Sequence, residues 1–545
     1  MLALVAAAVL VGAPLVGWPR VVRLPAVLVP ALLVAVVILR PWRWAESEWQ
    51  AVEAWTPSVP AVRTGAVVVG LTLFWFVLTR FQSGEINGVD FTVYFDRPCL
   101  QTIQGRPLLV ETADFPEFSQ RSGLEHHAYW GMFPICSLYA LGATPLWLLA
   151  LSVIAVTLGA IHVLRIMQHL GAGGVLATVT AVAFVLNDNT ARALNYGFHP
   201  EVLYAWFIPW MLEAGLRRNR RQFVCAAVAS ILVKEDAAML LFAACVALGL
   251  HGFRLMNRVD RVVFLLLPVA LALANLGLYY GYVAPAIAAG GVPAYANFWA
   301  NYGPTPLRAL VGMMSHPGRV LADSVSSGFF RLVMLPHLFL PVLAWRWMLG
   351  IVPIVAIYGA ALDPQLHAFG IYYAIPLVPF LVIGASTGAL VLARRVAVCG
   401  RRAALVAATA VLLGALVVGS GNRGYSLRPW RAEIAAMPEA LARLADEKVV
   451  LVQSGLYPHA GYDARIQLLT PETFARSRDE GAAVLIAPAI GGYPFGPDDL
   501  DRIGRLPTIR PVPGGLLAVR IPLAAPRAPE TKSHRKPHTG AGRRK

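Results

Sequence analysis

Hydrophobic positions in this chain gather into long runs separated by short basic loops. The runs lie at about 2–17, 22–39, 62–79, 143–164, 173–187, 201–216, 223–233, 237–250, 260–282, 327–344, 348–362, 370–393 and 403–420. A helix of about 20 apolar residues crosses a bilayer core, so the pattern predicts about thirteen spans. The stretch Phe223 to Phe253 is the informative one, because Lys234, Glu235 and Asp236 interrupt it at its centre. A charge at mid-bilayer costs on the order of 3 kcal/mol by insertion scales. The chain therefore bends there, giving two short helices with the triplet at one membrane face. Arginines flank both ends, at 217–221 and 254–261, and clusters of this kind mark the cytoplasmic side. The triplet is thus expected at the outer face. The same rule puts the amino terminus inside, segments 80–130 and 283–325 outside, and, with an odd span count, the end of the chain outside.

From about Gly421 the pattern changes. Short apolar stretches such as VVLV and AAVLIAPAI alternate with polar helical or turn pieces, the signature of buried strands in an α/β unit. The expected organisation is two amino-terminal membrane helices with a cytoplasmic connector (1–60), a mostly α membrane bundle (61–420) with a long outer loop at 80–130, an extracytoplasmic α/β domain (421–523), and a disordered basic tail (524–545).

Composition sharpens the class. Of 545 residues 57% are hydrophobic and 14% charged, with mean hydropathy +0.61; a soluble domain carries about 25% charged residues. The net charge of +16 belongs to inside loops and the tail rather than to nucleic-acid binding. The first seventeen residues lack a basic lead, so a span fits better than a cleaved signal peptide. Cys99, Cys136, Cys225, Cys245 and Cys399 show no paired or metal-type spacing, so their pattern argues neither a disulfide framework nor a zinc site. Phosphate loops, dinucleotide fingerprints and the commoner hydrolase motifs are missing.

On this topology several polar residues converge at one face. Asp90, just past the third span, suits a general base toward an acceptor hydroxyl; a helix N-cap would explain it as well. Phe91, Tyr94 and Phe95 follow at spacings suited to an interfacial helix. Glu125, His126 and His127 form a cluster without metal-ligand spacing. His199-Pro200-Glu201 opens a span, preceded by Arg192 and Asn195; helix capping explains Glu201 but neither His199 nor Arg192. Lys234 suits a phosphate, and Glu235 and Asp236 suit either pairing with it or holding a divalent cation. A mutually neutralised turn is the plainer account of the triplet. Further along come Ser315-His316-Pro317, Asp363 to His367, and Tyr372-Tyr373, the last read as interfacial anchors. His459 follows a strand as a ligand-facing or simply strand-end residue, with Arg465 after it.

The stretches GVDFTVYFDRPCLQTIQGRPL, EHHAYWGMFPICSLYAL, YGFHPEVLYAWFIPWMLEAGLRR, ILVKEDAAML, SHPGRVL, IYYAIPLVPFL and LYPHAGYDARIQLL occur in an order that resembles the DUF2079 family of predicted polytopic membrane proteins. The FHPE and KED stretches carry the resemblance best, and it covers roughly 80–470. That family is similar to the GT-C glycosyltransferases, which use polyprenyl-phosphate sugars. The resemblance implies a GT-C type bundle, with Asp90 as catalytic base or metal partner and Lys234 at an outer-face helix break. Relatives often pair two adjacent acids where this chain has Asp90 alone, with Asp96 further on.

The resulting expectation is an enzyme moving a sugar from a polyprenyl-phosphate carrier to a lipid, glycan or protein acceptor at the outer face. Asp90 is its base; Lys234, helped by Arg192, neutralises the leaving phosphate. Glu125, His126, His127, His199, Glu201, Glu235 and Asp236 line the pocket, and the terminal domain with His459 binds acceptor. The rivals are a transporter or lipid-glycan flippase and a non-catalytic scaffold of the same fold.

Overall fold

A computed structural model describes residues 55–86, 88–110, 121–287, 298–334, 337–363, 366, 372–395, 407, 411, 425, 427–478 and 481–522. The expected spans at 2–17 and 22–39, most of that at 403–420, and the tail lie outside these residues. Among the described residues five helices are long and apolar enough to cross a membrane: Val59–Gln82, Leu146–His169, Ala237–Leu255, Arg258–Ile287 and Ile375–Arg395. Leu340–Met348 and Val352–Gly359 would add a sixth if counted as one span, bent by 107°.

The expected count of thirteen is not reproduced among the described residues, because several apolar runs fold into pieces too short to cross alone. Gly173–Leu186, Tyr204–Leu216 and Arg220–Val233 have 14, 13 and 14 residues. Each rises only about 20 Å, against a hydrocarbon core of about 30 Å. The run at 327–344 breaks into Phe329–Met334 and a turn at Leu340–Ala344.

Local chemistry sets the element ends. Ser58 caps Val59–Gln82 by accepting from the Ala61 N–H at 3.3 Å, and Pro60 sits in its first turn, where a missing N–H costs nothing. Close helix packing relies on small residues: a Cβ at Gly159 would lie 1.9 Å from the Ala205 carbonyl oxygen, so Leu146–His169 and Tyr204–Leu216 touch backbone to backbone. At the foot of this pair Glu213 accepts from His162 Nδ1 at 2.5 Å and Arg217 at 2.9 Å, and Arg220 meets Asp260 at 2.8 Å. This is the basic end of the bundle.

The terminal unit holds a four-stranded sheet in the order β2-β1-β3-β4. β1 (Val450–Val452) pairs in parallel with β2 (Ile466–Leu468) and β3 (Ala483–Ile486); β4 (Leu517–Arg520) runs antiparallel to β3. Side chains alternate across the sheet. Val450, Val452, Leu468 and Leu485 enter one apolar cluster, whereas Leu451, Val484, Ile486 and Val519 enter another. The two central strands, β1 and β3, are covered on both faces and read as unbroken apolar stretches, VLV and AVLI.

Cys99 and Cys136 form a disulfide, with Cα atoms 4.5 Å apart. They stand 37 residues apart in the chain, and only the packing of Arg97–Ile103 on Met132–Cys136 brings them together; spacing alone carried no trace of it.

Candidate functional site

Asp90 lies in a helical stretch that runs from Gly88–Phe91 through a wider π-turn, Thr92–Asp96, into Arg97–Ile103. Two cores grip this stretch. Val89 and Val93 belong to the apolar cluster under the sheet, while Phe91 and Phe95 belong to the core of the membrane bundle. A Cβ at Gly88 would lie 2.4 Å from the Ser454 carbonyl oxygen, so glycine permits the approach of the terminal unit. Asp90 is the third residue of its helix rather than a residue ahead of it, which removes the simple N-cap account. Its side chain is half-buried, and desolvation raises its carboxyl to about 6.

Six residues on, Asp96 is fully buried and accepts hydrogen bonds from the Tyr139 hydroxyl at 2.6 Å and the Tyr462 hydroxyl at 2.8 Å. Burial raises its carboxyl to about 6, and the two phenols oppose that rise. Arg97 donates to the Gly461 carbonyl at 3.1 Å and lies over the Tyr457 ring at 4.6 Å. The acid that the sequence left as a spare partner for Asp90 is thus the tie between this helix and the terminal unit.

The charged triplet sits where the 223–253 run bends. Arg220–Val233 ends, Lys234 takes an extended conformation (φ −169°, ψ 163°), and Ala237–Gly252 begins. Each buried charge is matched, as low dielectric requires. Lys234 Nζ donates to Glu201 Oε1 at 2.6 Å, and His199 Nδ1 pairs with Glu201 Oε2. His127 Nδ1 meets Glu235 Oε1 at 2.7 Å, while the Ala128 N–H donates to Oε2 at 2.9 Å. Asp236 accepts from the Tyr204 hydroxyl at 2.6 Å and from Tyr358 at 3.5 Å. His199, extended ahead of Pro200 as residues before proline are, stacks on Tyr372 with ring centroids 3.5 Å apart and meets Phe95 edge-on at 4.8 Å.

The Asp90 stretch reaches this cluster through Phe95, whose ring meets His199, and Tyr372 packs on both His199 and Tyr373. Lys234, Glu235, Asp236, His199, Glu201 and His127 therefore form one buried network, with Asp90 at its border. Helix geometry sets it opposite the basic end: Tyr204 opens the helix that Glu213 and Arg217 close, about 15–20 Å away at 1.5 Å per residue.

Four expected site residues are placed otherwise. Arg192 pairs with Asp188 at 2.6 Å on its own helix, Asp188–Asn195, and no described contact ties it to Lys234. Glu125 is buried against Arg121 at 2.8 Å, and His126 packs edge-on to Tyr94 at 5.2 Å. His459 sits on helix Val59–Gln82, its Nε2 2.9 Å from the Phe81 carbonyl oxygen and its ring 4.0 Å from the Phe81 ring; it joins the terminal unit to the bundle. Among the described residues no group of three or more His, Cys, Asp or Glu side chains is arranged to hold a metal ion. The triplet acids face histidine, backbone amide and tyrosine instead, so this donor set does not fit the divalent cation that the sequence raised. Sequence reasoning missed Tyr204, Tyr358 and the pair Tyr139 and Tyr462. Tyr204 alone left a trace, three residues after Glu201 and so on the same helical face.

Residues 86–480 match the family model described as "Predicted membrane protein (DUF2079)". The chain belongs to this family. Among solved structures the chain is similar to ArnT from Cupriavidus metallidurans bound to undecaprenyl phosphate, at 12% identity over 86% of this chain and 100% of the other, with a TM-score of 0.45. It is also similar to the arabinofuranosyltransferase AftD from Mycobacteria, at 15% identity over 86% of this chain and 40% of the other, with a TM-score of 0.40. No curated protein matches the chain.

Proposed function

We propose that the protein is a GT-C type glycosyltransferase. It takes a sugar from a polyprenyl-phosphate carrier and passes it to a lipid, glycan or protein acceptor at the outer membrane face. The observation that carries this reading is that the helical stretch bearing the half-buried acid Asp90 meets, through Phe95 and His199, the network that holds the buried lysine Lys234. Sugar transfer needs those two groups. As the acceptor oxygen bonds to the anomeric carbon, Asp90 takes its proton. The bond from that carbon to the phosphate oxygen breaks, and the carrier phosphate leaves with the electron pair. Lys234 stabilises the charge that develops there, in a setting where water does not screen it. Glu201 accepts one of the ammonium's three N–H donors, which fixes its direction without using the rest. His199 and His127 orient the acids, and the terminal unit, welded to the Asp90 helix, borders the acceptor side.

The outer face is favoured by two features. The arginine-rich loops sit at the opposite end of the short helices, as inside loops do. The Cys99–Cys136 disulfide lies on the Asp90 side of the molecule, and disulfides persist in oxidising compartments. A flippase or transporter reading keeps one observation of its own. The pair Leu340–Met348 and Val352–Gly359 is sharply bent and reaches the charged cluster through Tyr358, and broken helices meeting a charged site are a transporter device.

Carrier binding tests the proposal. Native mass spectrometry of the purified protein with added undecaprenyl phosphate is expected to show one bound lipid. The Lys234→Met, Glu201→Gln double variant, which removes the buried charges together, is expected to lose it. Equal binding by the double variant would remove Lys234 from the phosphate site.

A further inference from the structure

We infer that the helical hairpin formed by Pro306–Ser315 and Pro317–Ser326 lies in the lipid interface, with one apolar stripe dipped into the bilayer. Each helix has 10 residues, far too short to span. In the first, Leu307, Leu310, Val311 and Met314 recur at i, i+3, i+4 and i+7 and so share one face. They are exposed by 71%, 46%, 54% and 74%, and Leu321 and Val325 of the second helix are similarly open. The opposite side is closed: Met313 and Val320 pack with Ala360 against Trp299, Tyr302 and Ile357. A soluble surface seldom leaves so continuous an apolar strip in water.

Lipid is the occupant that this position favours. The hairpin rests on Val352–Gly359, where a Cβ at Gly359 would lie 2.3 Å from Ser324 Oγ. That helix is half of the bent apolar pair, and Leu349, just before it, and Val352 within it are exposed by 50% and 51%, as apolar side chains of the spans such as Leu71 and Leu273 are. The stripe thus continues the lipid-facing surface rather than standing apart from it. Arg308, His316 and Arg319 are exposed beside it, at the level where basic side chains reach lipid headgroups while their stems stay apolar. Arg319 also lies over the Tyr302 ring at 5.1 Å, and Tyr302 donates to Asp323 at 2.6 Å, so the polar rim is braced internally.

The same helix connects this surface to the charged cluster. Ile357 faces the hairpin, and the next residue, Tyr358, donates to Asp236. The inference itself does not rest on the transferase reading and survives its failure.

The test is electron paramagnetic resonance on the full chain in nanodiscs of phosphatidylcholine with a minor fraction of phosphatidylglycerol. Nitroxides are attached at Leu310→Cys, Met314→Cys and Val325→Cys, with Ser326→Cys, exposed away from the stripe, and Met313→Cys as controls. The background carries Cys225→Ser, Cys245→Ser and Cys399→Ser, leaving the disulfide intact. Stripe labels are expected to collide several-fold more with oxygen than with a water-soluble nickel chelate, the Ser326 label the reverse, and the Met313 label with neither. Nickel access to the stripe equal to that at Ser326 would overturn the inference, since the face would then be in water. Stripe labels shielded from both reagents would overturn it as well, assigning the face to a protein partner or a second copy.

Discussion

At the scale of single residues the account depends on Asp90 and Lys234. A general base works as its carboxylate. With the Asp90 carboxyl raised to about 6, transfer is expected to fall as pH drops through about 6 and to level off above it. Asp90→Asn removes that limb and lowers the rate on the order of a hundred- to ten-thousand-fold; a pH series of initial rates reads both effects. Lys234→Ala leaves Glu201 buried without its lysine, with His199 as its remaining side-chain partner, which costs up to about 3–5 kcal/mol. Adding Glu201→Gln is expected to restore much of the thermal stability and none of the transfer. The triplet was visible in sequence because charged residues inside apolar runs are expensive, and Asp90 because it stands just past a span. Their partners were not. Tyr204 and Tyr358 look like any interfacial tyrosines until the fold aims their hydroxyls at Asp236. Arg192 had the right charge and neighbourhood in sequence, yet a local acid four residues away takes it.

At the scale of elements, the helix bearing Asp90 is held from both sides, and each hold can be tested. Tyr462→Phe removes one of the two donors to Asp96 and is expected to cost about 1–3 kcal/mol. It loosens the terminal unit from the Asp90 helix, so limited proteolysis near 427–478 should speed up. Replacing Cys99 and Cys136 by serine opens a 37-residue loop, with an expected cost of about 2–5 kcal/mol. A melting curve without and with reductant separates that cost from the effect of the serines themselves. The bend at Lys234 followed from arithmetic on length and charge, and β1 and β3 followed from their unbroken apolar stretches. β4 escaped notice because LAVR has exposed ends and pairs from more than thirty residues away. Elements fixed by one stretch of chain can be read from it, whereas those fixed by a distant partner cannot.

At the scale of the molecule, two sets of paired charges lie toward opposite ends of the short helices. Glu213 with His162 and Arg217, and Asp260 with Arg220, mark one end, and the Lys234 network, Asp90, Arg97 and the sheet lie toward the other. Asp90 and Lys234 standing toward the same end suit a reaction at one membrane face better than a path through the membrane. The terminal unit is built into this arrangement, its apolar cluster taking in Val89 and Val93 of the Asp90 stretch. The most direct test of the account is therefore made on whole cells. Lipid-linked sugars and envelope glycans are compared by mass spectrometry in a deletion strain complemented by nothing, by wild type, or by Asp90→Asn at equal protein level. The account predicts that the deletion accumulates a polyprenyl-phosphate sugar and lacks a glycosylated product, that wild type reverses both, and that Asp90→Asn reverses neither. Full restoration by Asp90→Asn would contradict it and leave the charged network to a transporter or a scaffold.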